Sequence, residues 1–334
     1  MKAVVFGGGG FLGGAISRRL LVAGAQVRVF GRRPYPGAAA AGCECVQGDV
    51  TDWAAVRRAV QGCDVVFHAA AKVGLWGRYE DYFRVNVDGT KNVIHACHDA
   101  GVPKLVFTSS PSVVFDGGDC EGGNESLPYP ARFDSDYSRT KAMAEQMVLS
   151  ANGAVVATVA LRPHLIWGPG DTNLLPRLVA QQKKLKRIGD FNKRVDTTYI
   201  DDAAEAHYLA AARLGPKSPI AGKAYFISQG DPRPLWFMVN GLLAAAGQPP
   251  VQRQAPLWAA KAAASVYEAW WTLRKREDEP PLTRFLLAQL TTAHWFDISA
   301  ARRDLGYVPT VKIEDGLARL KAWLAATPAA PAAA

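Results

Sequence analysis

The chain has 334 residues, 49% hydrophobic and 21% charged, a composition that argues against disorder and for an ordinary globular protein of about two domains. Every stretch of about 18 residues is broken by charge, amide, Gly or Pro, so no membrane-spanning helix is expected. Five cysteines make neither a disulfide framework nor a zinc cluster in a chain this long, and a strand-like run from Lys2 leaves no room for a signal peptide; a reducing cytoplasm is expected. The net charge of +9 gathers at Lys183, Lys184, Lys186 and Arg187, at Lys193 and Arg194, and at Arg274, Lys275 and Arg276. Such runs are mostly solvated faces, the alternatives being an anionic substrate, an acidic partner or a membrane surface. No motif for nucleic acid accompanies them.

Short β-branched runs alternate with longer amphipathic ones. Strands are predicted at Ala3–Phe6, Gln26–Phe30, Glu44–Gln47, Asp64–His68, Lys104–Thr108, Val155–Leu161 and Ala224–Ser228, as apolar runs of this length are buried parallel strands. Helices are predicted at Leu12–Ala23, Trp53–Gln61, Val87–Ala100 and Ser135–Ala151, with Gly24, Gly62, Gly101 and Gly153 as stops. This series predicts an α/β fold, a Rossmann-type doubly wound parallel sheet. The region Leu235–Arg276 is rich in Trp and Ala and predicts a smaller, mostly helical C-terminal substrate domain. The division expected is 1–170 for dinucleotide binding, with 197–230 returning to it, 171–196 and 231–326 for substrate, and a disordered tail at 327–334.

Residues 7–13 read GGGGFLG between the first strand and first helix. Gly7, Gly10 and Gly13 suit a pyrophosphate: glycine permits the tight turn and close approach, and the helix N-terminus supplies N–H donors. The plain alternative is a Gly-rich turn with no ligand. An acidic residue about 20 positions on would hold the ribose hydroxyls of NAD(H), but none occurs before Glu44. Arg32 and Arg33 follow the second strand instead, and a guanidinium there can clasp a 2′-phosphate. NADP(H) is therefore expected, with Asp49 placed toward the adenine edge.

Tyr137 and Lys141 stand four apart near the start of a helix, which stacks them on one face. A phenol with a pKa of about 10 is a poor acid at neutral pH; a nearby ammonium favours the phenolate and lowers that value. Such pairs also occur by chance on many helices. Here Ser109, Ser110 and Ser112 follow the fifth strand, at the end where this architecture binds ligands. His95 and His98, one turn apart, lack a third metal ligand and are read as structural, as His164 is read as shaping a pocket.

The segments GGGGFLG, HAAAKVGLWG from His68, YFRVNVDGTKNV from Tyr82, TSSPSVVF from Thr108, YSRTK from Tyr137, LRPHLIWGPGD from Leu161 and TYIDDAAEAH from Thr198 together resemble the extended short-chain dehydrogenase/reductases. They span most of the chain in order, and within that superfamily the pattern is similar to the 3β-hydroxysteroid dehydrogenase branch. AYFISQG, PLTRFL and ARRDLGYVP add a closer likeness to the bacterial reductases that act on 2-alkyl-3-oxoalkanoates in long-chain olefin biosynthesis. The resemblance implies Tyr137 as proton donor, Lys141 as its partner and holder of the nicotinamide ribose, and Ser110, preferred over Ser109 and Ser112, as a hydrogen-bond donor to the substrate oxygen. It implies cofactor contacts from Gly7, Gly10, Phe11, Leu12, Gly13, Arg32, Asp49, Val50, Ala69, Ala70, Tyr137, Lys141 and Pro163, no metal, and a supporting role for Asn86. Phe6 departs from the Thr common before the first glycine, and Pro111 holds Ser110 extended. A long-chain 2-alkyl-3-keto acid is the substrate implied, in a homodimer that could assemble with a downstream ligase and decarboxylase. Trp258, Tyr267, Trp270 and Trp271, with Leu286, Leu287 and Leu290, are candidates for an apolar tunnel, ordinary helix packing being the alternative. Arg177 and Arg194 are conceivable carboxylate partners. The competing readings are a 3β-hydroxysteroid or other alicyclic alcohol dehydrogenase, a sugar-nucleotide enzyme, and a non-enzymatic dinucleotide-binding subunit of a multienzyme assembly.

Overall fold

Apolar runs that alternate their side chains between two faces need cover on both. In the computed structural model, which describes residues 1–190 and 192–327, seven of them form one parallel sheet: β1 (Lys2–Phe6), β2 (Gln26–Gly31), β3 (Glu44–Gln47), β4 (Val65–His68), β5 (Lys104–Thr108), β6 (Ala157–Pro163) and β7 (Lys223–Ile227). Their spatial order is β7-β6-β5-β4-β1-β2-β3. The order reverses between β1 and β4, and a doubly wound sheet opens its ligand crevice at the carboxyl ends of the strands at such a point.

The two faces carry separate cores. Val5, Val29, Phe67, Val106 and Leu161 pack under the helices Phe11–Val22 and Ile200–Arg213. Val4, Phe30, Val66, Leu105 and Phe107 pack under Trp53–Val60 and Gly89–Asp99. Gly24, Gly62 and Gly101 end their helices in the left-handed region, at φ of 76°, 68° and 64°. Gly153 does not: its helix ends at Ser150 with Ala151 as cap, and the Gly153 N–H donates to the Val156 carbonyl in the following turn. The expected helix at Val87 starts at Gly89, because Arg84–Asp88 forms a π-helical turn that buries Asn86, a distortion common at functional sites.

The C-terminal part is more divided than its composition predicts. Helices Leu235–Ala245 and Leu257–Leu273 are separated by a Gly247–Pro250 break, followed by Arg284–Thr291 and Ile313–Ala326. A small sheet joins Arg233–Pro234, Arg194–Val195, His294–Phe296 and Cys120–Gly123, so a segment following β5 is paired with strands from the last third of the chain. Residues 328–334 of the expected tail lie outside the described residues. Among the described residues, no helix is long and apolar enough to cross a membrane, and none of their His, Cys, Asp and Glu groups has a metal-holding arrangement.

Candidate active site

The glycine turn is built as a cradle. Gly7 has φ of 78°, and a Cβ on it would stand 3.0 Å from the Ala70 nitrogen, so Ala69 and Ala70 pass directly over it. A Cβ on Gly13 would lie 2.1 Å from the Gly7 carbonyl oxygen. Gly10 caps the helix without a side chain, which leaves the first-turn N–H groups of Phe11, Leu12 and Gly13 as donors. These features fit a pyrophosphate. Gly13→Ala is expected to abolish dinucleotide binding in a fluorescence titration, because the clash is with backbone and cannot relax by a rotamer change.

Around the cradle, Arg32 and Arg33 are exposed at the end of β2. Asp49 spends one carboxylate oxygen on the Thr51 N–H and hydroxyl, both at 2.9 Å, while Val50 turns into the core against Gly89. Pro163 ends β6. Tyr35 was not singled out from sequence, yet its ring covers Gly9 and Gly31, both of which a Cβ would drive into it.

The helix Asp136–Ser150 places Tyr137, Lys141 and Glu145 at successive turns of one face. Ser110 sits after β5 with extended backbone, φ −158° and ψ 147°, as its following proline requires. Its hydroxyl accepts from the Ser112 N–H at 3.2 Å and the Ser112 hydroxyl at 3.0 Å, and it is the group that holds the Tyr137 pKa down against burial. Ser109 is buried with its hydroxyl unpartnered. Among the three serines, Ser110 is the one that acts on the phenol's ionisation. Lys141 is 3% exposed; its ammonium donates to the Thr108 carbonyl at 2.6 Å and lies 4.0 Å over the Phe107 ring.

The electrostatics correct one expectation. Burial pushes the Tyr137 phenol above its ordinary value, with only the Ser110 hydrogen bond opposing; the lowering by an adjacent ammonium is not seen. Burial instead acts on the lysine, bringing Lys141 down to about 7, with Glu145 opposing the fall. Desolvation is the largest influence on both groups because neither is in water.

Glu145 belongs to a buried triad that sequence reading missed. The Arg162 guanidinium donates to its two oxygens at 2.9 and 2.6 Å, and the Tyr129 hydroxyl donates to it at 2.6 Å. Glu145 is 0% and Arg162 3% exposed. The sequence signal was Arg162, a lone charge in the otherwise apolar strand Ala157–Pro163. Asn86 does what was expected of it: its amide accepts from the Lys72 N–H at 2.8 Å and donates to the Lys72 carbonyl and the Thr140 hydroxyl at 3.1 Å. It thereby ties the loop after β4 to the helix that carries Tyr137 and Lys141. His164 and His294 form a buried pair, ring nitrogens 3.1 Å apart.

A cavity of about 1160 Å³ opens beside Tyr137, walled by Trp76, Tyr82, Phe133, Trp271 and Thr283. Of the aromatic residues expected to line a tunnel, Trp271 does so. Trp258 and Trp270 do not; they are 75% and 45% exposed, because their helix turns only Ala260 and Ala264 fully inward. Leu287 packs with those alanines and Ile188. Arg177 pairs with Glu279 at 3.0 Å. The cations at the cavity wall are Arg78, Lys275, Arg276 and Arg284.

A glycine cradle at the switch point of a doubly wound sheet, with a serine, tyrosine and lysine clustered beside a cavity, defines an oxidoreductase of the short-chain dehydrogenase/reductase class. The chain belongs to the 3-beta hydroxysteroid dehydrogenase/isomerase family, whose model matches residues 4–255. It is 51% identical to the 2-alkyl-3-oxoalkanoate reductase of Stenotrophomonas maltophilia over 98% of this chain and 100% of that one. To the protein of the same name from Shewanella oneidensis it is 49% identical, over 96% and 86%. To the 3-beta-hydroxysteroid dehydrogenase of Mycolicibacterium neoaurum it is 35% identical, over 95% and 89%. Among solved structures, gox2253 superposes with a TM-score of 0.78 at 26% identity, covering 97% of this chain and 98% of that one. MoeE5 in complex with UDP-glucose and NAD superposes with a TM-score of 0.74 at 23% identity, over 98% and 99%, a likeness of fold.

Proposed function

We propose that this protein uses NADPH to reduce the 3-keto group of a 2-alkyl-3-oxoalkanoic acid to the 2-alkyl-3-hydroxyalkanoic acid, as a cytoplasmic step of long-chain olefin biosynthesis. The observation that carries this reading is the identity of about half of all positions, over almost the whole chain, with two reductases of that name, together with an intact Ser110, Tyr137 and Lys141 cluster. A nicotinamide dinucleotide fits the cradle and, when bound, supplies the hydride. Tyr137 delivers the proton to the substrate oxygen; its raised pKa keeps the phenol protonated and ready to donate. Ser110 orients that oxygen by hydrogen bonding. Lys141 holds the nicotinamide ribose and, tethered to the Thr108 carbonyl, fixes the face of the helix. Phe11, Leu12, Ala69, Ala70, Asp49, Val50 and Pro163 complete the cofactor's contacts in this reading, and the homodimer and the assembly with a ligase and decarboxylase go with it.

The preference for NADPH rests on Arg32 and on the lack of an acidic neighbour at the end of β2. Arg32→Asp is expected to weaken NADPH by about ten- to a hundredfold, the value of a charge-assisted hydrogen-bonded contact, and to leave NADH nearly unchanged; equal losses would remove the 2′-phosphate argument. The substrate is tested by following nicotinamide absorbance with the purified protein against a 2-alkyl-3-keto acid and, in the oxidative direction, against 3β-hydroxysteroids. Turnover confined to steroids would replace this reading by the steroid one.

A further inference from the structure

The helix Leu257–Leu273 sets a face of one chemistry toward solvent. Trp258, Val266 and Leu273 are 75%, 67% and 76% exposed, and with Ala262, Ala269 and Trp270, all exposed, they fall on one side of the helix at 100° per residue. The stripe runs about 22 Å from Trp258 to Leu273 with no charged residue of its own, the Arg274 guanidinium lying 4.4 Å over the Trp270 ring at its end. Exposed apolar area of this extent marks an interaction surface.

What surrounds the stripe selects the occupant. The strand Arg187–Ile188 pairs with Gln254–Ala255, and the Gln182 amide donates to the Pro249 carbonyl at 3.0 Å. Together they bring the basic run Lys183, Lys184 and Lys186 alongside the start of the helix, where Arg253 and Lys261 also lie exposed. From Thr172 to Gly189 and from Pro232 to Tyr267 the chain has no acidic residue. A patch of one sign beside an uncharged stripe carrying tryptophan at both ends matches an anionic lipid surface, with headgroups for the lysines and hydrocarbon for the stripe. A second copy of this chain would meet that patch with the same sign.

We infer that the helix Leu257–Leu273 and the adjoining basic patch dock the protein on an anionic membrane surface, the helix lying in the plane of the interface. The same helix contributes Glu268, Ala269, Trp271 and Leu273 to the wall of the cavity beside Tyr137, so the C-terminal end of the stripe borders that cavity. Docking therefore sets the cavity at the surface where long alkyl chains dissolve. That link to substrate entry rests on the proposed function, whereas vesicle binding does not, so the two readings fail separately.

The test is flotation of the full-length protein with vesicles of phosphatidylglycerol and phosphatidylcholine, and with vesicles of phosphatidylcholine alone. Binding is expected to the anionic vesicles and to weaken with salt. Lys183→Gln, Lys184→Gln and Lys186→Gln should each weaken it by about fivefold. Joint replacement of Trp258, Val266 and Trp270 by Gln should weaken it at least tenfold, with an unchanged melting temperature and unchanged reduction of a short, water-soluble β-keto substrate. Quenching of the wild-type tryptophan fluorescence by brominated lipid checks the same contact without a mutation. The inference is overturned if wild-type protein ignores anionic vesicles, if the Gln variant binds as well as wild type, or if the Gln variant only converts a dimer to monomers.

Discussion

Tyr137→Phe lowers turnover by about a hundred- to ten-thousandfold, the range for loss of a positioned proton donor, while NADPH affinity and melting temperature stay near those of the parent. The expectation follows from the site: burial keeps the phenol protonated beside Ser110, and removing its oxygen deletes the proton source while leaving the ring in place. Stopped-flow turnover and a binding titration separate the two effects, and an unchanged rate would falsify the acid assignment. The pH profile carries a second reading of the same cluster. Lys141 is held down to about 7 by burial, far below its ordinary range, so its ammonium is present below that pH and lost as pH rises through it. Hence kcat/KM, which reports the free enzyme, should fall as pH rises past about 7. The tyrosine, whose pKa is raised, stays protonated across that window.

Replacing Glu145 by Leu is expected to destabilise the protein by about 3–5 kcal/mol in urea unfolding, since it strands the Arg162 guanidinium in the interior. The pair is fully enclosed, and Tyr129 loses its acceptor as well. Glu145→Leu combined with Arg162→Met removes both charges and should recover most of that loss, as replacement of a whole buried pair by apolar side chains commonly does. Because Glu145 opposes the depression of Lys141, the double variant should also shift the falling limb of the pH profile to lower pH. A single-variant loss under about 1 kcal/mol would show that the triad relaxes or admits water.

The parallel sheet was legible because each strand is a short apolar run closed by turn residues, and β5 begins and ends at the predicted residues Lys104 and Thr108. The three stops at Gly24, Gly62 and Gly101 were legible for the same local reason: a left-handed residue is needed there and glycine takes it at least cost. Gly153 misled because a glycine in a short turn looks the same in sequence. The stripe on Leu257–Leu273 misled further. Its tryptophans read as cavity lining from composition, and only the placement of Ala260 and Ala264 against Leu287 and Ile188 turns them outward.

What followed from the amino-acid order alone was local: alternating strand and helix, a glycine turn before a helix, and a tyrosine and lysine one turn apart, since helical and extended periodicities depend on neighbours along the chain. The tertiary structure decided which serine acts on the phenol and which buried carboxylate faces the lysine. It also decided that the phenol's pKa rises and the lysine's falls. Those outcomes depend on how much water surrounds each group, and the fold excludes that water by bringing together residues far apart in sequence.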